Sequence, residues 1–123
     1  MLSVLVVDDE PPILRLMSVV LEHEGFDVIA TQDSQRALSL LNENTIPDLV
    51  VLDLNMPGID GRSFFRTARQ MGFSGPIVIC SAYGAEAAQR ELGADAAIGK
   101  PFDPAELVDV IKEISQRDKN LTP

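Results

Sequence analysis

The sequence predicts a doubly wound α/β protein, (βα)5, with five parallel strands in one sheet and helices on both faces. Two observations carry this. Short apolar runs of strand length alternate with longer stretches of helical periodicity, five times along the chain. The runs are apolar almost throughout rather than on every second residue, and so belong to strands buried on both faces. Right-handed crossovers leave few topologies for such an order.

The strand runs are Ser3–Val7, Asp27–Thr31, Asp48–Asp53, Pro76–Ser81 and Ala96–Gly99. Residues 12–24 form the first helical segment. Ile13, Leu16, Met17, Val20 and Leu21 fall on one face, and Gly25 is a C-terminal stop. Residues 34–43 group Ala37, Leu38 and Leu41. Residues 62–71 group Phe64, Phe65 and Ala68. Residues 85–92 are rich in alanine and poor in large apolar side chains, which predicts the softest helix. The last helix opens on "DPAELVDVIKEI", with Asp103 as N-cap, Pro104 at N1 and Glu106 at N3. Its core stripe is Leu107, Val108, Ile111 and Ile114.

With 123 residues and no break in composition, a single domain over residues 1–116 is expected, followed by a polar tail or linker at 117–123. A chain of this size can bury about two thirds of its unfolded surface and needs no staple. Cys80 is the sole cysteine, which excludes an internal disulfide and fits a reducing compartment. "MLSVLVVDDE" has no basic region, and its apolar run is too short for a signal peptide or a membrane span. A cytoplasmic protein without membrane contact is the expectation. The net charge of −9, from 19 acidic and 10 basic residues, argues against direct nucleic-acid binding by this domain.

In an open parallel sheet, ligands gather beyond the carboxyl ends of the strands. Here the first strand runs into Asp8, Asp9 and Glu10. The third ends in Asp53, the fourth in Ser81, and the fifth is followed by Lys100 and Pro101. Carboxylates crowded on one rim repel by about 4 kcal/mol per pair at ~4 Å and an effective dielectric of ~20. A hard divalent cation removes that cost, and Mg²⁺ suits few carboxylates plus phosphate oxygens. Metal, ammonium and hydroxyl together match the oxygens of a phosphoryl group. A carboxylate that can itself be phosphorylated follows as nucleophile. Asp53, central and with no carboxylate beside it in sequence, is the better candidate than Asp8 or Asp9.

The segments "VLVVDDE", "LVVLDLNMPGIDG", "VICSAYG" and "GADAAIGKPF" give the chain a resemblance to the receiver domain of two-component response regulators, over essentially its whole length. The resemblance implies a flavodoxin-like fold and a phosphorylation-activated signalling switch. Asp53 would accept a phosphoryl group from a histidine kinase or histidine phosphotransfer protein. Asp9, Asp53 and the Asn55 main-chain carbonyl would bind Mg²⁺, with Asp8 acting through water. Ser81 and Lys100 would hold the phosphoryl oxygens, and the Lys100–Pro101 bond would be cis. Such a domain is not an enzyme acting on a separate substrate, although it assists its own phosphorylation and dephosphorylation. It controls a downstream protein or an output domain, and homodimerisation on phosphorylation is left open.

One position departs from the family pattern. Ala97 stands where the family usually carries Tyr or Phe, an aromatic that moves inward on activation. Ala82, Tyr83, Ala97 and Pro101 are therefore expected to tune the switch or the lifetime of the phosphoryl group. Tyr83, the only tyrosine, is the candidate substitute and is expected to line the pocket mouth.

Other readings are weaker. Aspartate-nucleophile phosphatases use D-x-D with an acid/base second Asp; here that position is Asn55. A flavin carrier would need a hydroxyl- and glycine-rich first loop, where Asp8 and Asp9 stand. A degenerate receiver used only for docking stays open because of Ala97. "GADAAIGKP" imitates a P-loop, but five residues separate its glycines and Pro101 replaces the Ser/Thr. His23 reads as surface, Cys80 as inert core, and Asp60 and Glu106 as caps or surface.

Overall fold

The computed structural model describes residues 2–42, 46–55 and 60–117. Its elements run β1 (Ser3–Val7), α1 (Pro11–His23), β2 (Asp27–Thr31), α2 (Ser34–Leu40), β3 (Leu49–Asp53), α3 (Gly61–Gln70), β4 (Ile77–Ser81), α4 (Ala85–Leu92), β5 (Ala96–Gly99) and α5 (Pro104–Arg117). All strand pairs are parallel, in the order β2-β1-β3-β4-β5. The chain thus reverses direction of winding at β1, and the crevice between β1 and β3 opens at their carboxyl ends.

Two apolar layers sandwich the sheet. Leu5, Val7, Val50, Leu52, Ile77 and Ile79 face α2, α3 and α4, where Phe64 and Phe65 fill the centre. Val4, Val6, Leu49, Val51, Val78, Cys80 and Ile98 face α1 and α5. β3 and β4 are buried along their whole length and β1 from Val4 onward, as their apolar runs require. The outer strands β2 and β5 are half-buried, because each has a neighbour on one side only.

Local chemistry sets the boundaries. Asp33 and Asp60 cap α2 and α3, accepting hydrogen bonds from Gln35 N at 2.9 Å and Ser63 N at 2.8 Å. Asp103 accepts from Ala105 N at 2.9 Å at the start of α5. Asp48 precedes β3 rather than opening it. Its carboxylate accepts from Ser3 N at 2.8 Å and so ties the amino end of β1 to β3. β4 begins at Ile77, since Pro76 has no N–H to give the ladder, although its carbonyl accepts from Val50 N at 3.0 Å.

The inward face of α1 is rotated from the one the periodicity suggests. Leu14, Met17 and Leu21 are buried, Ile13 and Val20 are half-buried, and Leu16 is 39% exposed. α5 buries Leu107, Ile111 and Ile114 as expected, with Val108 half-buried. In α2 the buried residues include Ala37 and Leu40, with Leu41 just beyond, while Leu38 is half-buried. The expected turn at 56–58 and the tail at 118–123 lie outside the described residues.

Candidate functional site

The strand period of two aims the site. Val4 and Val6 lead to Asp8, Leu49 and Val51 lead to Asp53, and Ile98 leads to Lys100. The ladder continues past the strand ends, through Asp8 N to Thr31 O at 3.2 Å, Leu54 N to Cys80 O at 3.3 Å and Lys100 N to Ser81 O at 2.9 Å. Asp8, Asp53 and Lys100 therefore share the α1/α5 side of the rim. Ser81 follows Ile77 and Ile79 and belongs to the other side, toward α4.

The carboxylates are deeply placed. Asp8 is 1% exposed and Asp53 is 2% exposed. Lys100 Nζ lies 2.8 Å from Asp8 Oδ2, 3.4 Å from Glu10 Oε1 and 3.5 Å from Asp53 Oδ2. Burial pushes the Asp53 carboxyl up from 3.8 to about 6. The Asn55 amide, 3.1 Å from Oδ1, works against this, as does the Lys100 charge; the Asp8 charge and a hydrogen bond with Asp9 add to it. For Lys100, burial alone would pull the ammonium down, but the hydrogen bond and charge of Asp8, then the charge of Asp53, hold it above its ordinary value. One ammonium thus answers an excess of negative charge.

That excess fits a hard cation. Carboxylate oxygens of Asp8, Asp9 and Glu10 come within 4.8 Å of one another. Asp53 lies within reach of the Asp8 charge and of a hydrogen bond with Asp9. Oxygen donors with uncompensated charge are the donor set of Mg²⁺ or Ca²⁺ rather than of a soft metal. Glu10, which sequence reasoning passed over as a ligand, belongs to this group and also touches Lys100.

Ser81 is 2% exposed, and its hydroxyl is occupied away from Asp53. It donates to Tyr83 O at 2.9 Å and accepts from Tyr83 N at 3.3 Å and Asn55 Nδ2 at 3.2 Å. The Asn55 side chain is thus a partner that sequence reasoning, which used only its carbonyl, did not find. Tyr83 projects its ring to solvent, 88% exposed. Ala82 is exposed, and Ala97 packs against the α2/α3/α4 layer. The Lys100–Pro101 peptide is cis.

Gly61 was also missed. A Cβ there would collide with Leu54 Cα and come within 2.7 Å of the Asp53 carbonyl oxygen. The first turn of α3 can press on the end of β3 only without a side chain, and Gly61 N donates to Leu54 O at 3.2 Å. The pair "DG" at 60–61 is the sequence trace of this contact: a cap followed by a close approach. Cys80 is buried, and burial pushes its thiol up to about 12, which makes it inert.

The family model of the response regulator receiver domain matches residues 4–112. The chain belongs to that family. Among curated proteins, this receiver is 38% identical over 124 residues to the alkaline phosphatase synthesis transcriptional regulatory protein PhoP of Bacillus subtilis, covering 98% of the chain and 51% of PhoP. It is 39% identical over 119 residues to the phosphate regulon transcriptional regulatory protein PhoB of Escherichia coli, covering 93% of the chain and 52% of PhoB. The chain spans about half the length of these relatives. Among solved structures, a Francisella response regulator receiver domain matches with a TM-score of 0.86 and 31% identity, over 95% of this chain and 98% of that one. A putative response regulator from Chloroflexus aurantiacus matches at 0.84 and 32%, over 94% and 98%. The receiver fold with its five-stranded parallel sheet, expected from the sequence, is what the structure has. Among the described residues no helix is long and apolar enough to cross a membrane.

Proposed function

We propose that this receiver is switched by phosphorylation of Asp53. The observation that carries the reading is a strand-end carboxylate, 2% exposed, with an ammonium at 3.5 Å. An Oδ atom of Asp53 would form the new O–P bond as the P–N bond of a donor phosphohistidine breaks. The imidazole keeps the electron pair and takes a proton from solvent. Asp53 must be ionised to attack, and Lys100 favours that form. Lys100 is also close enough to meet the oxygens of the incoming group. Ser81 would supply a neutral donor once its proton leaves Tyr83 O.

Asp8, Asp9, Asp53 and the Asn55 carbonyl would hold Mg²⁺, which when bound neutralises charge on the phosphoryl oxygens. Ala82, Tyr83, Ala97 and Pro101 would set how the switch is read and how long the phosphoryl group survives. A Tyr83→Ala variant with an unchanged phosphoryl lifetime would remove Tyr83 from that group. The partners are a histidine kinase or phosphotransfer protein and a downstream protein or output domain, in the cytoplasm. Homodimerisation on phosphorylation fits the same reading.

Incubation with Mg²⁺ and a small acyl phosphate tests it. The expected result is an intact-mass gain of one phosphoryl group. Steady turnover of a phosphomonoester without a mass gain would favour a phosphatase instead.

A further inference from the structure

The chain has a net charge of −9, yet residues 61–73, which contain α3 and the turn after it, hold three arginines and no acid. Arg62, Arg66 and Arg69 recur at helical spacing and so lie on one side of α3. α2, on the same face of the sheet, carries Arg36 and no acid either. The carboxylates that α3 meets come from across a cleft: Glu91 on α4 and Asp95 just before β5.

The three guanidinium groups are not equally engaged. Arg69 is held on several sides. Its Nη1 donates to Phe73 O at 2.8 Å and to Gly75 O at 2.7 Å, its Nη2 lies 3.6 Å from Asp95 Oδ2, and the group stands over the Phe65 and Phe73 rings. Arg62 Nε and Arg66 Nη2 instead share one acceptor, Glu91 Oε2, at 3.3 Å each. A guanidinium has five N–H donors. One carboxylate oxygen thus answers two guanidinium charges and leaves most of their donors for a further acceptor. Both side chains are open to solvent, Arg66 at 58% and Arg62 at 44%.

Beside them, between α3 and α4, lies a cleft of about 330 Å³. Its apolar lining is Phe65 and Leu92, and its polar lining includes Arg66, Arg69 and Glu91. That volume is at the lower limit for small-molecule sites and suits a single side chain. We propose that this α3–α4 face docks a short acidic segment of a partner protein. One apolar side chain of the segment would seat against Phe65 and Leu92, and flanking carboxylates would meet Arg62 and Arg66. Charge complementarity selects this occupant. The planar fork of arginine matches a carboxylate, and Glu91 shows how a carboxylate sits there. A long polyanion such as a nucleic acid would run past the arginines onto the acidic remainder of the domain; a short segment does not. The face lies across the sheet from the Asp53 and Lys100 side chains, so the proposal does not rest on the phosphoacceptor reading.

The probe is a labelled peptide with a central Leu-Phe pair flanked by glutamates, titrated with the full chain without Mg²⁺ or a phosphoryl donor. Fluorescence anisotropy reads the affinity, and backbone amide NMR shifts locate the contact. The expected result is saturable binding that weakens severalfold as salt is raised, with shifts confined to residues 61–73 and 88–95. Arg62→Glu combined with Arg66→Glu should weaken binding by about tenfold or more, because like charges would then face each other. The milder Arg66→Gln should weaken it severalfold with the amide spectrum otherwise unchanged. Glu91→Gln should tighten it severalfold by removing the competing carboxylate. Alanines in place of the Leu-Phe pair should cost severalfold as well. No saturable binding, shifts on another face, or an unchanged affinity in the double variant overturns the proposal. So does equal binding of the alanine peptide and of inorganic polyphosphate, which marks a general anion surface. Self-association of the chain without peptide, abolished in the double variant, would assign the face to a second copy and overturn the proposal too.

Discussion

Asp53→Asn should make the divalent-free protein more stable at neutral pH, although it removes the proposed reactive group. The magnitude follows from the carboxyl's position. Burial lifts it from 3.8 to about 6, and each pH unit is worth 1.36 kcal/mol, so the buried charge costs at most about 3 kcal/mol at pH 7. Asn loses the 3.5 Å contact with Lys100, which returns part of that. The net gain is about 1–2 kcal/mol. The sign depends on pH. Between 3.8 and about 6 the folded state holds the Asp53 proton more tightly than the unfolded state. Wild-type stability therefore falls as pH rises through this window, and the full cost is present above it. The variant's advantage should be lost by about pH 4. Urea unfolding with a chelator at pH 7 and pH 4 measures both. With a slope of about 1–2 kcal/mol/M, the pH 7 midpoint should rise by about 1 M at unchanged slope. Added Mg²⁺ should raise the wild-type midpoint and barely move the variant's. An Asn variant less stable than wild type at pH 7, or an advantage that persists undiminished at pH 4, would refute the electrostatic account of the rim.

Lys100→Met should cost about 3–5 kcal/mol without divalent ions, because Asp8 would be left buried and unpaired. Adding Asp8→Asn to that variant should recover most of the loss in the same urea assay. Gly61→Ala should cost well over 1 kcal/mol and slow phosphoryl uptake, since the methyl group would displace the Asp53–Leu54 backbone; thermal unfolding and the mass assay read the two effects. Asp48→Ala should cost about 1–2 kcal/mol by leaving Ser3 N without its acceptor. Phosphoryl uptake should be unchanged, because Asp48 lies at the opposite end of the sheet.

The fold was legible because its signals are redundant. Central strands such as "LVVLD" are apolar on both faces, and Gly25, Asp60 and Asp103 punctuate the helices. The rim was legible for the same reason: a charge at the end of an apolar strand has few places to point. The inward face of α1 was not, because "ILRLMSVVL" offers more apolar positions than one face can bury, and packing against β1, β2 and α5 chose Leu14 over Leu16. Strand starts at Asp48 and Pro76 were misplaced by one residue, since the ladder depends on which N–H finds a partner. The hydrogen bonds of the Ser81 hydroxyl to Tyr83 and to the Asn55 side chain depend on side-chain rotamers, which no spacing reveals. Gly61 reads as an ordinary turn glycine until the distance to β3 is known. Glu10 reads as a third member of an acidic run, and only the position of Lys100 gives it a partner.

The central claim is that Asp53 carries the phosphoryl group. The most direct measurement is borohydride reduction of the protein after exposure to Mg²⁺ and a small acyl phosphate, followed by peptide mass mapping. Reduction converts an aspartyl phosphate to homoserine and so marks the residue itself. The account expects homoserine at position 53 and nowhere else, and none after Asp53→Asn. Homoserine at Asp8 or Asp9, or none anywhere in the wild-type chain, would contradict it.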